Sequence, residues 1–181
     1  MRAQSWLVLR WTLRMLAAGA AAGMLGNAAA QSPTPASAAT ENPAVSSAAA
    51  AILTRARATL ADVQAFEHLN QEIVGLCRGP VKGSYADFRD DFHDDLERTR
   101  ELERALGPTP AELAATAAHA FDQTLQSFRG AGEQELYARC LRWGTALIQH
   151  ESPLRADIAA KFAFLKSNEA AIRAALPAKD R

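Results

Sequence analysis

Residues 52–76, ILTRARATLADVQAFEHLNQEIVGL, decide the fold class. Ile52, Ala56, Leu60, Val63, Phe66, Leu69, Ile73 and Leu76 step by three and four, the spacing that lines one face of an α-helix at 3.6 residues per turn. A half-buried strand would alternate every second residue instead, and no period-two run of β-branched residues occurs along the chain. The pattern predicts a first helix over 48–77, stopped by Gly79-Pro80 and followed by a loop to Gly83.

The same spacing recurs in four further segments. Ser84, with Asp87 three residues on, predicts the start of a second helix whose stripe is Tyr85, Phe88, Phe92, Leu96, Thr99, Leu102 and Leu106, ended by Gly107-Pro108. Thr109, Pro110 and Glu112 have the order of a cap, a first helical position and a capping box, so a third helix is predicted with Leu113, Ala117, Phe121, Leu125 and Phe128 inward. A fourth spans about 132–149 with Leu136, Cys140, Gly144 and Leu147 on one face. Ser152-Pro153 caps a fifth, which carries Leu154, Ile158, Phe162, Leu165, Ile172 and Leu176 until Pro177. Five amphipathic helices joined by short links predict a single-domain, all-α antiparallel bundle over 48–177, with a short tail at 178–181.

The amino end has a different texture. Arg2, Arg10 and Arg14 precede an uncharged apolar run over 15–25, no acidic residue occurs before Glu41, and Ala28-Ala29-Ala30 gives a small-residue exit. These are the three parts of a secretory signal peptide at 1–30, with cleavage expected after Ala30. The apolar run is shorter than the roughly 20 residues a spanning helix needs. An uncleaved anchor would leave the domain on the same, outer side. Residues 31–47, QSPTPASAATENPAVSS, hold too few apolar side chains for a core and are expected to form a flexible lead-in. The protein is therefore expected in the periplasm or secreted, with no stable membrane insertion once the leader is removed.

Removing the leader takes away three of the 20 basic residues and none of the 20 acidic ones. A slightly acidic chain lacks the basic footprint of a nucleic-acid binder, so nucleic acid is not an expected partner. About 150 residues remain, enough for one domain with its own core. Cys77 and Cys140 are the two cysteines, and in an oxidising compartment an even pair predicts a disulfide. All three Met residues lie within the leader, so the mature chain offers no thioether ligand, and no cofactor is expected.

Two segments carry residues of chemical interest. Asp90, His93 and Glu97 are spaced three and four apart within an acidic run over 87–97, and on one continuous helix they share a face that could hold a divalent metal. The same carboxylates also suit a solvated face near a helix amino end, balanced by Arg89, Arg98 and Arg100. Glu151-Ser152, closing an apolar helix, resembles over about seven residues the Glu-Ser of lytic transglycosylases, envelope enzymes in which that glutamate is the general acid. Their Gly-Ala-x-Gly-Leu-Met-Gln continuation is missing from 153–166, and Ser152 already has a use as a helix cap, so no catalytic residue is assigned. Nucleophile elbows, phosphate-cradling glycine loops and His-Glu-x-x-His are absent.

Trp143 and Phe164 sit off the main stripes of their helices. Each is either sandwiched between helices or an anchor for a partner or second copy. Two function classes follow: a non-catalytic protein-binding or scaffolding module of the bacterial envelope, or a bundle that holds a small ligand or metal or assembles a scattered active site.

Overall fold

A computed structural model describes residues 43–177, which form six α-helices and, among the described residues, no strand. They are α1 (Pro43–Cys77), α2 (Gly79–Asp91), α3 (His93–Leu106), α4 (Ala111–Arg129), α5 (Glu133–Ile148) and α6 (Pro153–Ala175). The leader at 1–30, most of the lead-in and the tail at 178–181 lie outside the described residues.

Four local expectations change, each for a physical reason. The first helix begins at Pro43 rather than Ala48, so the last five residues of the expected lead-in are helical, and proline's fixed φ suits a first helical position. The glycine-proline pair after Cys77 starts a helix instead of opening a loop. The reversal is confined to Arg78, at φ 52°, and α2 then runs from Gly79 with Pro80 in its first turn, where the missing N–H is harmless. The expected second helix is broken at Phe92 (φ −108°, ψ 21°), which is why six helices are counted. Phe92 still donates to the Phe88 carbonyl and accepts from Leu96, so the stripe stays in phase across the break. Finally, Thr109 does not cap α4. Its hydroxyl donates to Gln64 Oε1 at 2.9 Å, tying the α3–α4 link to α1, and Pro110 stands at the cap. The expected ends at Gly107 (φ 76°) and Ser152 hold; the Ser152 hydroxyl accepts the Arg155 amide at 3.1 Å.

The apolar faces bury in two clusters. The first joins Val63, Phe66, Leu69, Ile73 and Cys77 of α1 to Val81 and Phe88 of α2, Leu96, Phe128, Cys140 and Leu147, and Ile158 and Phe162 of α6. Its rings touch in a chain, Phe66–Phe88 at 5.5 Å, Phe88–Phe92 at 4.8 Å and Phe92–Phe162 at 5.3 Å between centroids. The second is aliphatic: Ala56 and Leu60 of α1, Leu102 and Leu106 of α3, and Leu165, Ile172 and Leu176 at the carboxyl end of α6. Thus α3 and α6 pass from the first cluster to the second in the opposite sense to α1.

Cys77 and Cys140 form the expected disulfide, with Cα atoms 5.6 Å apart. The end of α1 meets the middle of α5 because the chain turns at once, at Arg78, and sends α2 alongside α5.

Two buried polar side chains organise the first cluster. Asn70 donates from Nδ2 to the Phe66 carbonyl at 2.8 Å and accepts from Trp143 Nε1 at 2.9 Å, so α1 grips α5 a second time below the disulfide. Arg155 donates to the Leu147 carbonyl at 3.0 Å and to Asp91 Oδ2 at 2.8 Å, with its guanidinium 4.7 Å from the Phe92 ring centre. One buried arginine therefore joins the break between α2 and α3 to the break between α5 and α6. A buried guanidinium bonded to a carbonyl and to a carboxylate avoids the penalty of an unpaired charge.

Candidate interaction surface

The α5 helix has apolar side chains on two faces. Leu136, Cys140, Trp143 and Leu147 point into the first cluster or pack against it. Tyr137, Leu141 and Ile148 lie about 100° around the helix, spaced four and seven apart and so in line with one another. They are 58%, 45% and 43% exposed and are the large apolar side chains that reach solvent among the described residues. Single exposed leucines are ordinary; three in a row on one helix, one of them tyrosine, form the kind of strip that marks a contact surface.

Trp143 and Phe164, either sandwiched residues or partner anchors on the sequence reading, both make internal contacts. Trp143 is half-buried, bonded to Asn70, and its ring meets Phe128 edge-on at 5.9 Å. Phe164 is half-buried against the aliphatic cluster, with the Arg55 guanidinium 4.2 Å above its ring. The signal for the actual strip was present in the sequence: α5 carries more apolar residues than one stripe accommodates.

The expected metal residues are not brought together. Asp90 lies in the last turn of α2 and His93 opens α3, on either side of the Phe92 break. Asp90 and His93 are exposed, while the Glu97 carboxylate accepts from Arg100. Among the described residues no group of three or more His, Cys, Asp or Glu is placed to hold a metal ion. Glu151 is exposed in the turn before α6, and the neighbouring Ser152 is occupied as the cap, its hydroxyl also donating to the Ala146 carbonyl.

Shifted acids occur elsewhere, on the rims of the two clusters. Burial raises the Glu67 carboxyl above its ordinary value, opposed by Arg100 and Arg89, and burial beside Glu67 pushes the Tyr85 phenol up to about 12. Burial likewise raises Asp62, opposed by Lys161 at 3.8 Å. Hydrogen bonds from Arg98 and Arg173 hold Glu169 below the ordinary carboxylate value. An open, shallow cleft of about 510 Å³ lies at the end of α3, lined by Arg100, Glu103, Arg104, Gly107 and Pro108. Its arginines are occupied, Arg100 by Glu97 and Arg104 by the Arg100 carbonyl, so it presents no ready anion clamp.

Fold and surface together define a disulfide-linked, all-helical bundle with, among the described residues, one exposed apolar strip. Among the described residues no helix is long and apolar enough to cross a membrane. Comparison of the chain with known protein families, with curated proteins and with solved structures finds no match.

Proposed function

We propose that this is an exported, non-catalytic protein of the bacterial envelope, an antiparallel helical bundle that binds or scaffolds another protein through α5. The observation that carries the reading is the strip of Tyr137, Leu141 and Ile148 on a helix whose other face is already committed to the core. Tyrosine is among the residue types enriched at binding hot spots, and an exposed apolar strip is the kind of surface a partner covers. The buried disulfide and the leader-like residues 1–30 support an oxidising, extracytoplasmic location.

A photoreactive amino acid placed at Leu141 and, as control, at exposed Ala118 on α4 tests the reading in living cells. A discrete cross-linked complex from position 141 and none from 118 is expected. Equal cross-linking from both positions, or none from 141, would remove the strip as a binding surface. Intact mass of the protein recovered from the envelope should place the amino terminus at Gln31; a mass that retains residues 1–30 would overturn cleavage after Ala30.

A further inference from the structure

The helices are not held alike. Each of α1, α2, α3, α5 and α6 packs along at least three neighbours, whereas α4 packs along α1 alone and touches α5 where Phe128 meets Trp143. Of its 19 residues, Ala117 and Phe128 are buried, and Leu113, Phe121 and Leu125 are half-buried. None of these joins the aliphatic cluster. Phe121 and Leu125 pack at the edge of the aromatic one, the Phe121 ring 6.3 Å from that of Phe66.

The polar ties of α4 and its leading link lie at the two ends, and both run to α1. Thr109 donates to Gln64 at 2.9 Å, and Arg129 donates to Glu72 at 2.7 Å in an exposed pair that adds little. Neither link is wedged against the bundle, since a Cβ at Gly107 or at Gly132 would meet nothing within 4 Å. The flanking helices are anchored without α4: α3 by Leu102 and Leu106 in the aliphatic cluster, and α5 by the Cys77–Cys140 bond. The Asn70–Trp143 hydrogen bond also joins α1 to α5 directly.

We infer that α4 is a lid, which leaves α1 as a unit while the other five helices stay packed, and so uncovers Phe66 and the side of Trp143 that meets Phe128. Segments that open ahead of the whole are those with few buried apolar contacts, and α4 is the helix here that rests on one neighbour. Closed, the lid hides an aromatic face that the open form presents, independently of the strip on α5.

Hydrogen exchange of the full chain in low urea, followed by mass spectrometry, tests this. The amides of α4 should exchange as a block, roughly tenfold or more faster than those of α2, α5 and α6. Their dependence on urea should also be shallower, because opening one helix exposes less surface than unfolding the domain. Phe121→Ser with Leu125→Ser should hold the lid open. In a full chain that also carries Trp6→Phe and Trp11→Phe, Trp143 is the one indole left. Acrylamide should then quench Trp143 several-fold more strongly in the Phe121/Leu125 variant, while α2, α5 and α6 keep their protection from exchange.

Equal rates and equal urea slopes in α4 and α5 would overturn the lid, as would exchange that is fast at the ends of α4 and slow through its middle, the mark of fraying. Loss of protection in every helix of the Phe121/Leu125 variant would overturn it too, by showing that α4 belongs to one cooperative unit with the rest. An indole no more accessible in that variant than before would mean that α4 does not uncover Trp143, and would sink the proposal in the same way.

Discussion

Along α1 the chain changes its means of holding on. From Val63 to Cys77 the helix is gripped by an aromatic chain, the Asn70–Trp143 hydrogen bond and a disulfide. Around Ala56 and Leu60 the buried partners are aliphatic side chains of α3 and α6, with Phe164 packed at the edge and ion pairs such as Arg98–Glu169 and Arg173–Glu101 laced over the outside. Directional and covalent contacts specify which helix lies where, whereas aliphatic contacts mainly require volume and shape. The exposed apolar strip stands on α5, which belongs to the specified end.

Removing the disulfide is the most severe way to break this contrast. Cys77→Ala with Cys140→Ala opens a loop of 63 residues and should cost about 4 kcal/mol in urea denaturation. Hydrogen exchange should then show α2 and α5 losing protection before α3 and the end of α6; uniform loss would mean the two clusters act as one. Next in size, Leu102→Ala in the aliphatic cluster should cost about 3 kcal/mol through the cavity it leaves. Combined with Phe88→Leu in the other cluster, the two effects should add to within about 0.5 kcal/mol, and stronger coupling would dissolve the distinction.

Arg155→Met should cost about 2 kcal/mol, since the Leu147 carbonyl and Asp91 lose their donor while the rings keep an apolar neighbour. An unchanged midpoint would show that the two helix breaks hold without it. Trp143→Phe preserves the ring and strands the buried Asn70 oxygen, for about 1–1.5 kcal/mol.

The smallest effects carry opposite signs at the two rims. Glu169 is lowered by Arg98 and Arg173, so its contribution is present above the ordinary glutamate value of about 4.3 and fades as pH falls through its folded value. Glu67 is raised by burial, so its contribution is present below the ordinary value and is lost as pH rises through the folded one. The melting-temperature difference between wild type and Glu169→Gln should therefore shrink on acidification from about pH 6 to about pH 3, and that for Glu67→Gln should move in favour of wild type. Parallel slopes would mean that the two carboxylates share one kind of environment.

The stripe of Leu60, Val63, Phe66, Leu69 and Ile73, the Cys77–Cys140 link and the Ser152 cap were legible from residue types and spacing alone, because each depends on local chemistry. The Phe92 break was not, since Phe88, Phe92 and Leu96 keep their phase through it and periodicity registers only phase. Gly79-Pro80 serves equally to end one helix or begin another, and the decision lies in the backbone of Arg78. Thr109 chose a tertiary acceptor over its own helix, an option that depends on where Gln64 stands. The strip on α5 escaped the reading of that helix, which followed its one inward stripe, and whether Trp143 faced inward or outward stayed open in the sequence because its acceptor, Asn70, lies 73 residues away.

The last helix supplies Ile158 and Phe162 to one cluster and Leu165 and Ile172 to the other. A chain emerging amino end first, whether from a ribosome or through a membrane pore, cannot finish either half until those final residues arrive. The order of emergence therefore postpones completion of the whole domain, leaving unfinished apolar faces open to chaperones or a translocation motor for as long as the chain is being threaded.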